Sequence, residues 1–321
     1  MDPLSDLLRV AEVRGTLFSR ARLGAPFGVS TTGSAEAAIF HVLTRGTAAL
    51  RTGGEAHALR AGDLVVLPHG DAHELVEGDG PVVPLRTLPA VSSERALPCV
   101  VGGGAGETTE ILCGTFRFGP AGRRWLLPLL PRALVVRRGD GLTAAFLEAT
   151  LRLLEHEAVG GAAGSDLMVA RLSDVLLVHV LRAFAERGDA GWLAALADPH
   201  LGPLMRSVHQ DPGADWTADR MARAAGLSRT VLFQRFEATM GRTPADWLLD
   251  WRMTLAAEAL RTGDEAVASL AGRLGYGSEA SFSRAFRRVH GLPPATYRRR
   301  EAPPPRAPPP TPPPPLGGGG G

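Results

Sequence analysis

Residues 35–90 alternate between apolar and polar positions in short runs that glycines interrupt. A period of two with turn residues at roughly ten-residue spacing is typical of β-strands in a small sandwich or barrel. The clearest runs are Ala37–Leu43, Thr47–Arg51, Ala56–Leu59, Leu64–Leu67 and, further along the chain, Ile111–Phe118. The pattern therefore predicts a β-rich N-terminal unit.

From about Leu142 the hydrophobic period becomes that of a helix. The apolar stripes of two predicted helices are formed by Phe146, Thr150 and Leu154 and by Leu172, Val175, Leu176 and Val180. Glycines within residues 160–164 separate these two helices, and a third helix is predicted from Leu193 to His209. The pair of helices either packs within the chain or forms a dimer interface, and the sequence leaves both open.

The segment that follows contains the same helix-breaker-helix pattern twice. Ser228–Phe236, followed by Gly241 and Pro244, returns fifty residues later as Ser278–Phe286, followed by the same two residue types. Just upstream of these segments, equivalent residues of the two copies are 49 positions apart, so the second copy has one extra residue in its turn. Each copy predicts a helix-turn-helix. Two such units can place two helices in successive major grooves of DNA.

Within each copy, two apolar residues four positions apart predict the buried stripe of the second helix. Arginine and glutamine on the opposite face can form paired hydrogen bonds to base edges, and threonine or phenylalanine can contact a thymine methyl. The predicted DNA-binding residues are Arg229, Thr230, Phe233 and Gln234 in the first copy and Ser283, Arg284, Arg287 and Arg288 in the second. The alternative is that these arginines only solvate a helix surface. A long helix predicted from Pro244 to about Thr262 would fix the distance between the copies.

The charge distribution agrees with a DNA-binding C-terminal half. The net charge of the 321-residue chain is +2, and every basic residue is arginine. Residues 213–300 carry 14 arginines against nine acidic residues, a net charge of +5, whereas residues 1–212 carry a net charge of −3. A basic module of this kind favours phosphate attraction.

The cysteine content and the absence of a long apolar run bear on the compartment. Cys99 and Cys113 do not make a disulfide framework and suit a reducing cytoplasm. They are either inert packing residues or a redox-sensing pair. The sequence has no apolar leader after a basic start and no run long enough to span a bilayer, so we expect a cytoplasmic protein without a membrane partner.

The C-terminal region, about Asp215–Arg300, resembles the DNA-binding domain of the AraC/XylS family of transcriptional regulators. The strings that carry the resemblance are Met221–Ser228, Trp251–Met253, Leu270–Tyr276, Phe282–Phe286 and Gly291–Pro294. The resemblance implies reading helices at Arg229–Thr239 and Glu279–His290, with promoter DNA as the partner. RNA polymerase is left open as a second partner. Phe233 departs from the polar residue that the family places at such a position.

Gly62–His73 fits the second cupin motif, with Pro68, Gly70 and His73 at the expected spacing. The motif implies a strand, a Pro-Gly corner and a histidine that points into a small barrel. The N-terminal region up to Trp125–Pro131 thus resembles the cupin-type sensor of some AraC-like regulators.

The metal ligands of the cupin family are largely missing from this chain. Its glutamate would fall at Ile39 and its paired histidines near Gly33 and Ala35, and none of these residue types is present there. His41 shares the inward face of the strand with Ile39, since side chains alternate. We predict that His41 and His73 meet inside the barrel as ligand-binding residues, and we expect neither a metal nor a cofactor.

Together these features predict an α+β multidomain protein. The predicted parts are a cupin-like β-barrel (1–135), a helical linker or dimerisation segment (136–210), an all-α tandem helix-turn-helix DNA-binding domain (211–300) and a disordered Pro/Gly tail (301–321). We predict a homodimeric one-component transcriptional regulator, not an enzyme, that responds to a small molecule or a redox signal. The alternatives are a metal-dependent cupin oxygenase or isomerase with an appended helical domain, and an interaction module with a degenerate second helix-turn-helix.

Overall fold

The computed structural model describes residues 3–93, 96–139, 144–160, 162–186 and 191–301. The chain divides into two compact units, residues 1–251 and 252–321. The predicted Pro/Gly tail lies outside the described residues beyond Glu301. Within the described part of the chain, no helix is long and apolar enough to cross a bilayer.

All the strands of the described residues lie between Arg14 and Val136, and most of the helices follow them along the chain. The strands are β1 (Arg14–Gly24), β2 (Phe27–Thr31), β3 (Ala37–Arg45), β4 (Thr47–Thr52), β5 (Glu55–Arg60), β6 (Leu64–Leu67), β7 (His73–Glu77), β8 (Val82–Pro84), β9 (Ala90–Ser93), β10 (Ala96–Gly103), β11 (Thr108–Arg117) and β12 (Leu134–Val136). The helices are α1 (Pro3–Ala11), α2 (Pro120–Trp125), α3 (Ala144–Gly160), α4 (Ser165–Glu186), α5 (Trp192–Ala197), α6 (Leu201–Gln210), α7 (Ala218–Ala225), α8 (Arg229–Met240), α9 (Pro244–Thr262), α10 (Val267–Arg273), α11 (Glu279–His290) and α12 (Pro294–Glu301).

The strands form two sheets, as expected for a cupin-like barrel. The seven-stranded sheet has the order β12-β6-β3-β11-β1-β10-β9, and the five-stranded sheet has the order β5-β4-β7-β2-β8. One apolar core joins them, with Leu23, Ile39 and Leu43 from the first sheet and Phe27 and Leu75 from the second. The alternation of side chains directs these residues inward and leaves the other face of each sheet for helices or solvent.

Helices α3 and α4 belong to the same unit, and α4 packs against β1. The backbone N–H of Gly15 in β1 donates to Asp174 Oδ1 at 2.9 Å. A Cβ atom at Gly15 would lie 2.4 Å from the Cβ of Ser173, so only glycine permits this approach. The predicted stripes are partly wrong: Thr150, Leu154, Leu176 and Val180 are buried, whereas Phe146 and Val175 are exposed.

The prediction of one continuous helix from Leu193 to His209 is wrong. The structure has two helices, α5 and α6, separated by Asp198, Pro199 and His200. Asp198 has an extended backbone with ψ of 131°. The ring of a following proline disfavours the helical conformation of the residue before it, and this ends α5.

Both predicted helix-turn-helix units are present, and local sequence features set their boundaries. In the first unit Ser228 accepts a hydrogen bond from the backbone N–H of Val231, and Gly226 adopts a left-handed conformation with φ of 64°. In the second unit Ser278 caps α11 in the same way through the N–H of Ser281. Serine caps and left-handed glycines are the favoured helix start and stop signals.

The turns of the two units also correspond. The N–H of Leu227 donates to the carbonyl of Ala222 at 3.0 Å, and 49 residues later the N–H of Tyr276 donates to the carbonyl of Ala271 at 2.9 Å. The extra residue of the second turn, Gly277, precedes the cap Ser278. The offset of 49 that becomes 50 therefore reflects a one-residue insertion between two otherwise equivalent turns.

Candidate functional site

The second cupin motif forms a tight corner that directs His73 into the barrel. Gly70 adopts φ of 66°, and a Cβ atom there would lie 2.0 Å from the carbonyl oxygen of Ser34 and 2.5 Å from that of Ala37. Only glycine fits such an approach. Three residues on, His73 begins β7 and is buried.

The structure brings His41 and His73 together, as the period of β3 predicts. The two Nε2 atoms are 2.8 Å apart, and the other ring nitrogen of His41 lies 3.2 Å from Cys113 Sγ. Burial lowers the pKa of His41 well below its usual value, and repulsion from His73 lowers it further. Burial also lowers the pKa of His73, although Asp71 partly opposes this. Both imidazoles are therefore neutral at pH 7.

The hydrogen-bond partners fix the tautomers of the two neutral rings. Nδ1 of His73 lies 2.9 Å from the carbonyl oxygen of Asp71, which can only accept, so this nitrogen carries the proton. His73 Nε2 then accepts from Nε2–H of His41, and the unprotonated Nδ1 of His41 accepts from the thiol of Cys113. A continuous chain of hydrogen bonds thus runs from Cys113 to the backbone at Asp71.

The structure does not bring Cys99 and Cys113 together. Cys99 is in β10 and Cys113 is in β11, and β1 lies between these strands in the sheet. Two strand spacings amount to about 9–10 Å, beyond the roughly 7 Å Cα separation that a disulfide tolerates. Burial raises the pKa of Cys113 to about 12, so its thiol stays protonated. Low-pKa, accessible thiols are the ones that react readily with oxidants, and Cys113 has neither property, while Cys99 is also buried.

Among the residues that the structure describes, no group of three or more histidine, cysteine, aspartate or glutamate side chains is arranged to hold a metal ion. His41 turns one nitrogen toward His73 and the other toward Cys113, so these three side chains do not converge on one point.

A cleft of about 430 Å³ opens beside His73 at the end of the five-stranded sheet. Its walls carry hydroxyl groups from Ser30 and Thr31 and the side chains of Arg51 and Glu74, whose charged groups are 3.9 Å apart. The cleft is open to solvent and is lined by both polar and apolar groups, and His73 of the buried histidine pair is one of the lining residues. It is large enough for a small metabolite.

The first reading helix, α8, presents a mixed polar face. Arg229, Thr230 and Gln234 are exposed, and Phe233 is half-buried. Arg229 is 3.6 Å from the carboxylate of Asp219. Two residues that the sequence analysis missed share this face: Val231, whose exposed fraction is 44%, and Glu237. Each is three positions from Gln234, and this helical spacing could have revealed them.

The second reading helix, α11, presents a more basic face. Arg284, Arg287 and Arg288 are exposed and Ser283 is half-buried. Among the described residues, no carboxylate forms an ion pair with any of these three arginines. Unpaired guanidinium groups on a helix that follows a turn are suited to phosphate and guanine contacts.

Comparisons with known proteins decide the identity of the chain. A cupin family model matches residues 2–186, and a helix-turn-helix domain model matches residues 221–300. A putative AraC-like transcription regulator of Streptomyces lividans is 34% identical over 93% of this chain and 98% of that protein. The chain belongs to the AraC family. It is a DNA-binding transcription regulator with a cupin-like N-terminal domain, and it is not an enzyme.

Two further comparisons place this AraC-family protein among its relatives. The RCS-specific transcriptional activator RclR of Escherichia coli K12 is 28% identical over 93% of this chain and 97% of its own length. The DNA-binding domain of AdpA, solved in complex with a target DNA, is 30% identical and covers 32% of this chain and 92% of the AdpA domain, with a TM-score of 0.30.

Proposed function

We propose that this AraC-family protein is a cytoplasmic one-component regulator whose cupin-like domain binds a small polar effector. The observation that carries the proposal is the cleft of about 430 Å³ whose lining includes His73. Effector binding would change promoter affinity only if the effector binds two conformations of the protein with different affinity. His73 and, behind it, His41 are the proposed ligand-binding residues.

The side chains of the cleft favour a neutral polyol or a zwitterion as the effector. Arg51 supplies a cation, Glu55 and Glu74 supply carboxylates, and Ser30 and Thr31 supply hydroxyl groups. A molecule with hydrogen-bonding groups of both kinds matches this lining, since donors, acceptors and charges of both signs face the cleft. A strongly apolar molecule would displace water from these groups without replacing its hydrogen bonds, and a multiply charged molecule would meet like as well as opposite charges.

We expect a member of this chemical class to stabilise the full chain and to lose that effect in His73→Ala. A panel of free amino acids and neutral sugars is tested by thermal unfolding, because a ligand at one hundred times its Kd adds about 2.7 kcal/mol to the stability. His69→Ala is the matched control, since His69 is exposed, lies 3.0 Å from the carbonyl oxygen of Leu130 and does not line the cleft. Equal stabilisation of wild type and His73→Ala, or no stabilisation by any member of the panel, would contradict the proposed site.

We also propose that the protein forms a homodimer through α3 and α4. Six large apolar side chains of these helices are exposed, with Phe146 at 67% and Leu167 at 63%. The exposed apolar residues are Phe146, Leu153, Val159, Leu167, Met168 and Val175. The pairs Arg152–Glu148 and Arg171–Asp174 give the same surface both charge signs. A surface with apolar patches and balanced charge is self-complementary, as a two-fold interface requires.

Leu153→Arg is expected to convert dimers into monomers, because the interface would then contain an unpaired charge. Sedimentation velocity of the full chain at micromolar concentration measures the change. Val91→Arg, which alters an equally exposed apolar residue on β9, is expected to leave the dimer intact. A wild-type protein that sediments as a monomer, or a Leu153→Arg variant that still dimerises, would refute this interface.

A further inference from the structure

Asp198, in the turn between α5 and α6, caps the start of α6 through one oxygen of its carboxylate. Oδ1 of Asp198 accepts hydrogen bonds from the backbone N–H groups of His200, at 2.8 Å, and Leu201, at 2.9 Å. These N–H groups lie where a helix begins and have no partner within the helix. Oδ1 of Asp198 therefore stabilises the turn between α5 and α6.

The other carboxylate oxygen of Asp198 holds the first reading helix. Oδ2 accepts a hydrogen bond from Nε of Arg235 at 2.8 Å, and Nη2 of the same guanidinium lies 2.6 Å from it as an ion pair. The side chain of Asp198 is only 14% exposed and that of Arg235 is 41% exposed. Burial alone would raise the pKa of the Asp198 carboxyl, but hydrogen bonds from Arg235, Leu201 and His200 lower it below its usual value. The carboxylate is therefore ionised at neutral pH.

Two neighbouring contacts show that the same segment also holds the rest of the first helix-turn-helix. Nδ1 of His200 is 3.0 Å from the carbonyl oxygen of Ala225, the last residue of α7. The backbone N–H of Gly191, just before α5, donates to the carbonyl of Thr239 near the end of α8 at 2.9 Å. The segment from Gly191 to His200 thus contacts both helices of the unit.

We propose that Asp198 is a positioning residue for DNA recognition by the first reading helix. Arg235 follows Gln234 by one residue, which is about 100° around the helix. An anchor at Arg235 therefore fixes the rotation of α8 about its axis, and with it the direction in which Thr230 and Gln234 face the groove. The proposal rests on the proposed reading role of α8. It adds that the residue that sets this geometry lies outside the helix-turn-helix.

The Asp198 carboxylate also neutralises the positive charge of Arg235. Without Asp198, the guanidinium of Arg235 would be available to any DNA phosphate, and phosphate contacts carry no sequence information. Loss of Asp198 is therefore expected to lower affinity for the specific site and to leave affinity for unrelated DNA unchanged or higher. A residue that only stabilised the fold would lower both affinities together.

The test compares Asp198→Asn, Arg235→Met and the double variant in the full chain. Asparagine can still accept the N–H groups of the turn but cannot form the ion pair. The probes are the duplex that wild-type protein selects from a randomised pool and a scrambled duplex of the same composition. We expect each single variant to reduce the ratio of the two affinities about tenfold, as for loss of one good base contact. The double variant should be no worse than the worse single variant.

Glu110→Gln is the control, since it removes an ion pair with Arg22 at 3.3 Å that lies outside both the cleft and the proposed dimer surface. The proposal would be overturned if the ratio of the two affinities for Asp198→Asn stayed within twofold of the wild-type ratio. It would also be overturned if both affinities fell in parallel with the melting temperature of the variant.

Footprinting distinguishes a failure of the positioning role of Asp198 from a failure of the reading role of α8. If wild-type protein gives no protection attributable to α8, the reading role fails. If only Asp198→Asn loses that protection while the rest of the footprint remains, the positioning role is supported.

Discussion

Phe286→Ala is expected to destabilise the second compact unit by about 3–5 kcal/mol, the usual cost of removing a buried aromatic ring. Phe286 is fully buried. Its ring centroid lies 4.4 Å from His290, 5.2 Å from Tyr297 and 5.9 Å from Phe282. These residues come from α11 and α12, so the cavity would remove the contact that joins the two helices.

The chain offers spectroscopic probes that separate the two units. Both tyrosines, Tyr276 and Tyr297, lie after residue 251, and all five tryptophans lie at or before it. Urea unfolding of Phe286→Ala should shift the tyrosine signal to lower denaturant concentration and leave the tryptophan signal in place. The matched variant is Phe236→Ala, the equivalent residue of the first copy, whose ring is 5.7 Å from Trp247 and which should shift the tryptophan signal. A loss below about 1 kcal/mol for Phe286→Ala would contradict this packing role.

Arg284→Ala is expected to weaken operator binding by about 1–3 kcal/mol, or roughly 5- to 150-fold, and to relax the base preference at one position. Arg284 occupies the position in α11 that Gln234 occupies in α8, on the face opposite the buried pair Phe282 and Phe286. Its guanidinium is exposed and can make a bidentate contact with guanine. Selection of a randomised duplex pool by wild type and variant measures both affinity and preference.

Arg287→Ala is the matched comparison for Arg284→Ala, because both side chains are exposed on the same helix. If Arg287 contacts a phosphate, its loss should weaken binding to all sequences alike and reduce the slope of log affinity against log salt by about one contact. Unchanged affinity and preference in Arg284→Ala would exclude it as a base-reading residue. An unaltered salt slope in Arg287→Ala would exclude it as a phosphate contact.

The two reading helices differ in charge at equivalent positions, and we infer a division of labour from this. Glu237 in α8 corresponds to Arg287 in α11, and Ala238 corresponds to Arg288. A carboxylate repels phosphate but can accept a hydrogen bond from cytosine. The first helix is therefore suited to sequence choice and the second to anchoring on the backbone.

The helix-turn-helix units could be predicted from sequence nearly to the residue because their boundaries are encoded locally. The family resemblance implies Arg229–Thr239 for the first reading helix, which is found as Arg229–Met240, and Glu279–His290 for the second, which is found with those bounds. Each start depends on one serine cap and each end on one glycine. The missed break at Asp198 had a local signal as well, since proline follows it. The apolar residues from Leu193 to His209 keep a helical spacing across Pro199, and this spacing led to the prediction of one continuous helix.

The cupin-like domain was less predictable because its contacts are between distant residues. The five predicted strand runs are confirmed as parts of β3, β4, β5, β6 and β11. The long strand β1 was missed because arginines interrupt its apolar residues, although Leu17, Ala21 and Leu23 keep the period of two. The proximity of His41 and His73 could be predicted from the period of two in β3 and from the spacing of the second cupin motif. The third member, Cys113, depends on the pairing of β3 with β11, and no local pattern encodes that pairing. The DNA and effector contacts of these residues stay predictions.

Hydroxyl-radical and methylation footprinting of the full chain on its selected duplex tests most directly whether both helix-turn-helix units read DNA. We predict protection of two neighbouring major-groove segments on one face of the duplex, with centres about 10–10.5 bp apart, one helical turn. Arg284→Ala should weaken protection in only one of the segments. Protection of a single segment by the wild-type chain, or protection that does not depend on sequence, would contradict the account.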